Sequence, residues 1–235
     1  MTWTWLGAAA LVVLAVACAV GYYRGFVKEI VTAFFTVLSF LIIWSINPHI
    51  NEFIREKTPV YRNVQEYCRE MVRNQAGDGR AVGQQEQNRV VEELGLPKLL
   101  QEGLLKNNNA QVYRYLAVTT FGDYVADYLS ILAVNGISFL ISFLLVTLVT
   151  KAVVGALHIL TMLPVVHGAN KLAGGLVGGI KCIVFLWVAL LALMLLCGTE
   201  FGRKGMELVE QDVFLSFLNR HNILIQMFTG IFYGR

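Results

Sequence analysis

The sequence predicts an all-α integral membrane protein with four transmembrane helices, and three observations carry that expectation. Hydrophobic residues make up 56% of the 235 positions and charged residues only 15%, against about 45–50% and about 25% in an average soluble domain. The apolar residues gather in four runs, each long enough to cross a bilayer, which takes about 20 residues at a helical rise. No period-two alternation is sustained anywhere, so no strand is expected. This composition excludes a disordered chain and a disulfide-stapled module. A net charge of +3 is too small to suggest a nucleic-acid partner. The partner it does imply is the lipid bilayer.

Residues 1–46 read as a transmembrane hairpin with spans at about 3–23 and 26–46. The first run is uncharged from Trp3 to Tyr23. A cleaved signal peptide is the competing reading, and Ala15, Ala17 and Ala19 offer small residues for it. No basic region precedes Trp3, however, and the run exceeds a signal's apolar core. A retained helix is expected. The second run has its only charges, Lys28 and Glu29, in its first turn.

Residues 47–127 form a polar segment too long for a plain connection. Tyr61, Val64, Cys68, Met71 and Val72 recur at helical spacing after Pro59, with Arg62, Glu66, Arg69, Glu70 and Arg73 opposite. Gly77, Gly79, Gly83 and a Gln run predict a flexible loop over about 74–88. Short helices are expected over about Val90–Leu94 and from Pro97 to Lys106, the latter stopped by Asn107, Asn108 and Asn109.

Residues 128–197 read as a second transmembrane hairpin, with spans at about 128–150 and 172–197. Residues 198–235 form an amphipathic tail. In it, Met206–Leu218 is expected as one helix carrying Val209, Val213 and Phe217 on its apolar side. Ile223, Leu224, Met227, Phe228, Ile231 and Phe232 follow at helical spacing. Such helices either pack on the rest of the chain or lie in the membrane interface.

Charge divides unevenly. The two short hairpins carry Arg24, Lys28, Lys151, Lys171 and Lys181 against one acid, Glu29, while the remaining residues nearly cancel. The excess of Lys and Arg in short loops predicts those hairpins inside the cell, with the termini and residues 47–127 outside.

Two short motifs stand out. His167–Lys181 contains two interleaved GxxxG pairs, Gly174 with Gly178 and Gly175 with Gly179. A phosphate-binding loop needs Lys directly after its last Gly, and here Ile180 intervenes. Helix packing is the better reading, against another helix of this chain, a second copy, or a membrane secretion partner. The other motif is Gly21-Tyr-Tyr-Arg24-Gly25-Phe26-Val27-Lys28-Glu29. Its glycines allow a tight turn, and Arg24 and Lys28 suit the headgroup level. Glu29 either pairs locally with Arg24 or Lys28 or serves a function.

Together these motifs resemble the colicin V production protein family. The resemblance rests on Arg24-Gly25-Phe26-Val27-Lys28-Glu29 after span one. It rests equally on Asn170-Lys171 ahead of Gly174 and Gly178 at the start of span four. Members often carry an Asp near the start of span one, where this chain has Trp3, Thr4 and Trp5. The resemblance implies a bacterial cytoplasmic-membrane protein linked to colicin V production or export and to envelope robustness. It implies no chemical reaction.

Other polar residues suggest a polar path through the membrane: Asn135, Ser138 and Ser142 on span three, and Lys181 on span four. The plainer reading is hydroxyls bonded to their own helix or a neighbour. Asp123 and Asp127 suit a helix N-terminus. His158 and His167 lack companion ligands, so no metal site is expected. No nucleophile–base pairing is legible, and neither catalytic residues nor a cofactor are expected. The first functional expectation is therefore a non-enzymatic accessory or scaffold. The alternative is a small transporter or channel subunit.

Overall fold

The computed structural model describes residues 3–76, 83–156 and 169–230, and in them the chain is all-α without a strand. Four helices are long and apolar enough to cross a membrane: α1 (Trp5–Arg24), α2 (Phe26–Lys57), α7 (Phe121–Ala156) and α8 (Ala169–Leu195). Between them lie α3 (Val60–Ala76), α4 (Gln84–Glu93), α5 (Lys98–Lys106) and α6 (Ala110–Leu116). The tail holds α9 (Glu200–Gln211), α10 (Val213–Arg220) and α11 (Ile223–Gly230). His158, Pro164, His167, Ile231, Phe232 and Gly77 to Gly79 fall outside the described residues.

The chain divides into two compact units. The first comprises Met1–Pro48, Phe139–Leu190 and Leu208–His221. Within it α1 runs antiparallel to α8, because Gly21 faces Gly174 while Leu14 faces Gly179. The start of α2 approaches the start of α8, so those two run parallel. Ser39 meets Thr150 and Asn47 meets Ser142, which sets α7 antiparallel to α2. The α1–α2 turn and the end of α7 therefore lie at the same end of this unit. Val12, Val16, Phe34, Leu41, Leu148 and Leu176 are each more than half exposed. So many large apolar side chains pointing outward suit lipid rather than water.

The second unit comprises His49–Ser138, Leu191–Glu207 and Asn222–Arg235. Its core is aromatic: Tyr113 stacks on Tyr124 at 5.1 Å, and Tyr124 touches Tyr128. The buried Tyr124 hydroxyl donates to the Leu104 carbonyl at 2.7 Å, so the ring's polar tip is satisfied. Val64, Cys68, Met71 and Val72 form the inward side of α3. Asp123 sits in a capping arrangement with Thr120 at the start of α7. Asp127 does something different from the expected dipole role. It accepts from Gln65 at 2.9 Å and pairs with Arg69 at 3.3 Å.

Helix α7 extends beyond the expected span at both ends, from Phe121 to Ala156, and three further boundaries differ, each for a physical reason. Helix α2 continues past residue 46 to Lys57, with Pro48 inside it. Hydropathy marks where the apolar run stops, whereas the following polar residues still form helix. Helix α4 begins at Gln84, so the expected loop over 74–88 is helical at both ends. Its Gln-rich run forms helix because glutamine is a good helix former. The stretch Met206–Leu218 is two helices, not one. Asp212 leaves the helix and caps α10, accepting from the N–H groups of Phe214 and Leu215 at 3.0 Å each. The break turns α10, burying Leu215 and Leu218 and leaving Phe217 62% exposed.

Asp212 also accepts from the Thr4 N–H at 2.8 Å and the Thr4 hydroxyl at 3.1 Å. Thr4 in turn caps α1 by accepting from the Gly7 N–H. Burial opposes ionisation of Asp212, but the donors from Leu215, Thr4 and Phe214 outweigh it and hold the carboxyl below its ordinary value. A lowered folded value means the contribution is fully present above the ordinary carboxylate range. It is lost as pH falls through the lowered value. Replacing Asp212 by Ala removes one cap and strands another, and a loss of about 1–2 kcal/mol is expected. Thermal melting of the detergent-solubilised protein would show it. The difference from the unmodified chain should shrink as the pH is taken below about 4.

Candidate functional site

The first unit is organised around the turn between α1 and α2. Helix α1 ends where Gly25 takes φ +79°, a conformation open to glycine at little cost. The Gly25 N–H closes the helix on the Gly21 carbonyl at 2.9 Å. Asn170, in the first turn of α8, lies over Gly25: a Cβ there would come within 2.6 Å of the Asn170 amide nitrogen. The neighbouring Lys171 places its ammonium 5.9 Å from the Tyr22 ring centroid. Two motifs about 145 residues apart in sequence therefore meet at one point. Phe26 is exposed and Lys28 half-buried beside them.

The four glycines of α8 face α1 of the same chain, and they divide into two classes. A Cβ on Gly174 would overlap the Gly21 carbonyl, and one on Gly178 would lie 2.7 Å from the Ala17 carbonyl. Both are backbone obstacles that cannot yield. A Cβ on Gly175 would meet the Cys18 carbonyl at 3.3 Å, and one on Gly179 the flexible Cys18 sulfur at 2.9 Å. The glycine seam is thus filled from within the chain, with Gly21 as its reciprocal partner on α1.

One turn into α2, Glu29 is 2% exposed. Its carboxylate pairs with Lys181 of α8 and, at 3.5 Å, with Arg24 of α1. Thr32 completes the group: its hydroxyl accepts from Lys181 at 2.7 Å and donates to the Glu29 carbonyl at 2.9 Å. A carboxylate and an ammonium removed from water are costly unless each finds the other with hydrogen bonds to spare. Lys181 lies just over three turns into α8, on the part of the helix that the glycine seam brings near α2. Lys28 is not among the side chains that meet the Glu29 carboxylate.

Beside this cluster, a cavity of about 410 Å³ lies among α2, α7 and α8. Arg24, Lys151 and Lys181 line it, with Thr32, Thr36, Ser39, Thr147 and Thr150 along the walls. Phe35, Phe40, Phe143 and Phe185 supply its apolar surface. The expected polar path named Asn135, Ser138, Ser142 and Lys181. Lys181 lines the cavity, and the other three are absent from its wall. Ser142 donates to Asn47 at 3.3 Å, Ser138 donates to the Val134 carbonyl of its own helix, and Asn135 accepts from Asn51 in the second unit. Sequence reasoning missed Thr32, Thr36, Ser39 and Thr150. Thr32, Thr36 and Ser39 form a row at i, i+4, i+7 on α2, where Ser39 meets Thr150 of α7 at 2.9 Å, a spacing that sits in the sequence inside an apolar run.

The second unit holds its own cavity of about 670 Å³, walled in part by Tyr67, Cys68, Leu100, Met194 and Cys197. Burial pushes the Cys68 thiol above its ordinary value, an effect that Asp127 reinforces and the Ser130 hydroxyl partly offsets. That thiol is therefore a slow nucleophile.

The two glycine classes and the ion pair give distinct expectations. Gly178→Ala should cost about 1–3 kcal/mol through overpacking, whereas Gly179→Ala should stay within about 0.5 kcal/mol. Equal melting temperatures for the two variants would refute the backbone-limited seam. Glu29→Gln strands a buried ammonium, and Lys181→Met a buried carboxylate. Each should destabilise by about 3–5 kcal/mol, and the double variant by less than the sum. A double-mutant cycle of unfolding free energies checks this.

Comparison with known proteins adds one match. The family model described as Colicin V production protein matches residues 110–221, slightly less than half of the chain. The match includes Asn170, Lys171, the four glycines and Lys181, and it ends one residue beyond α10. No curated protein and no solved structure matches the chain. Over residues 110–221 this multi-pass membrane protein is thus similar to the colicin V production protein family, the family its two motifs resemble.

Proposed function

We propose that the chain is a non-enzymatic accessory or scaffold of the bacterial cytoplasmic membrane that serves colicin V production or export and envelope homeostasis. The observation that carries this reading is the meeting of Arg24-Gly25-Phe26 with Asn170-Lys171 at the α1–α2 turn, inside a chain matched to the family. The residues with the strongest chemistry there, Glu29 and Lys181, spend it on each other. They hold α1, α2 and α8 together rather than facing a substrate. The seam glycines are taken up by α1, so docking on a secretion partner would use the lipid-facing sides or the second unit. The cavity of about 410 Å³ favours a second reading, a small transporter or channel subunit.

The orientation proposed keeps both short hairpins inside the cell. Its support is the gathering of Arg24, Lys28, Lys151 and Lys171 at one end of the first unit, as the charge rule requires of a cytoplasmic side.

Two measurements test these proposals. A strain lacking its own family member should regain toxin secretion when given this chain, and should fail to regain it with Lys181→Met at equal expression. No rescue by the unmodified chain would sink the accessory role, and solute flux in reconstituted liposomes would favour the second reading. For orientation, buried Cys68 is a poor reporter. A Glu102→Cys variant, exposed on α5, should react with a membrane-impermeant maleimide on intact cells. Protection until lysis would reverse the topology.

A further inference from the structure

We propose that the cavity among α2, α7 and α8 binds one anionic phospholipid of the surrounding bilayer, its acyl chain inside and its phosphate at Lys151 and Arg24. Three observations lead there, independently of the role in toxin export.

The first is charge. Arg24, Lys151 and Lys181 line the cavity, and among the described residues no Asp or Glu does. Glu29 engages Lys181 and Arg24, while Lys151 has no acid partner among the described residues. The cation left over stands on the last turns of α7, at the end of the unit where the α1–α2 turn lies. A headgroup phosphate is found at that depth.

The second is the chemistry of the wall. Along α2 the wall hydroxyls are turned back into protein: Thr36 donates to the Thr32 carbonyl at 2.9 Å, Ser39 to the Phe35 carbonyl at 2.8 Å, and Ser39 also meets Thr150. A hydrated solute would need these groups. A hydrocarbon chain needs only that they be satisfied already.

The third is shape. Phe143 lies 5.9 Å from Phe40 and 5.8 Å from Phe185, so an aromatic cluster closes the end remote from Lys151. From Thr32 to Phe40 the wall runs about 12 Å along α2, which accepts part of an acyl chain. A volume of about 410 Å³ falls in the range of small-molecule sites.

The test uses the purified full chain in detergent, with phosphatidylglycerol and phosphatidylcholine of identical acyl chains titrated and bound lipid read by native mass spectrometry. Phosphatidylglycerol should bind at least about fivefold more tightly. Lys151→Gln, an exposed position that needs no repacking, should bring the two lipids to within about twofold. Thr147→Phe, which fills the cavity, should abolish retention of both while circular dichroism shows the helices intact. Equal binding of the two lipids by the unmodified chain would overturn the proposal, as would full retention in the Thr147→Phe variant. Displacement of the lipid by millimolar inorganic phosphate would also overturn it, in favour of a soluble anion. Because toxin secretion is not the readout, failure here leaves the accessory role standing, and the reverse.

Discussion

A carboxylate withdrawn from water inside a membrane protein must be neutralised where it stands, and Glu29 sets that requirement for the first unit. Lys181, Arg24 and Thr32 meet it from α8, α1 and α2. Those partners can reach only because α1 and α8 touch backbone to backbone at Gly21, Gly174 and Gly178. The seam and the ion pair are thus one device. The glycines set the interhelical distance, and the charges fix the register, since sliding α8 by one turn would strand both. Lipid offers no hydrophobic force to bring helices together, so shape and buried charge carry the specificity that apolar burial carries in soluble proteins.

The two units answer to different physics. In the second, helices α3 to α6 are short and strongly two-sided, and an aromatic core around Tyr124 and Tyr128 holds them. In the first, α1 is apolar around its whole circumference and buries little of it. Its positions are distinguished by size: Ala17 and Gly21 are the places where another backbone comes near.

The four spans and the all-helical class were legible because a bilayer imposes a length and a composition that few other structures satisfy. The α1–α2 turn was legible because Gly25 occupies a position with positive φ. What escaped was whatever depends on which residues face each other across helices. The four glycines of α8 look equivalent in sequence, and only the carbonyls of Gly21 and Ala17 separate Gly174 and Gly178 from the other two. The pairing of Glu29 with Lys181 spans 152 positions and lay beyond local spacing, which pointed to Arg24 or Lys28 and was right about Arg24. The Ser and Asn residues of span three looked like a row, yet each bonds to a different place. Asp212 was invisible as a breakpoint because the apolar period runs through it unbroken.

The bond between Thr4 and Asp212 has a consequence for how the protein is made. It joins residues 208 positions apart, so it cannot exist until residue 212 has left the ribosome. Until then the Thr4 N–H lacks its Asp212 acceptor and the start of the first helix is untethered. The closing of this clasp by Asp212 comes after all four long helices have been made rather than before. A truncation just before residue 212 would leave every span present but the first helix unlatched, a state the completed chain passes through once.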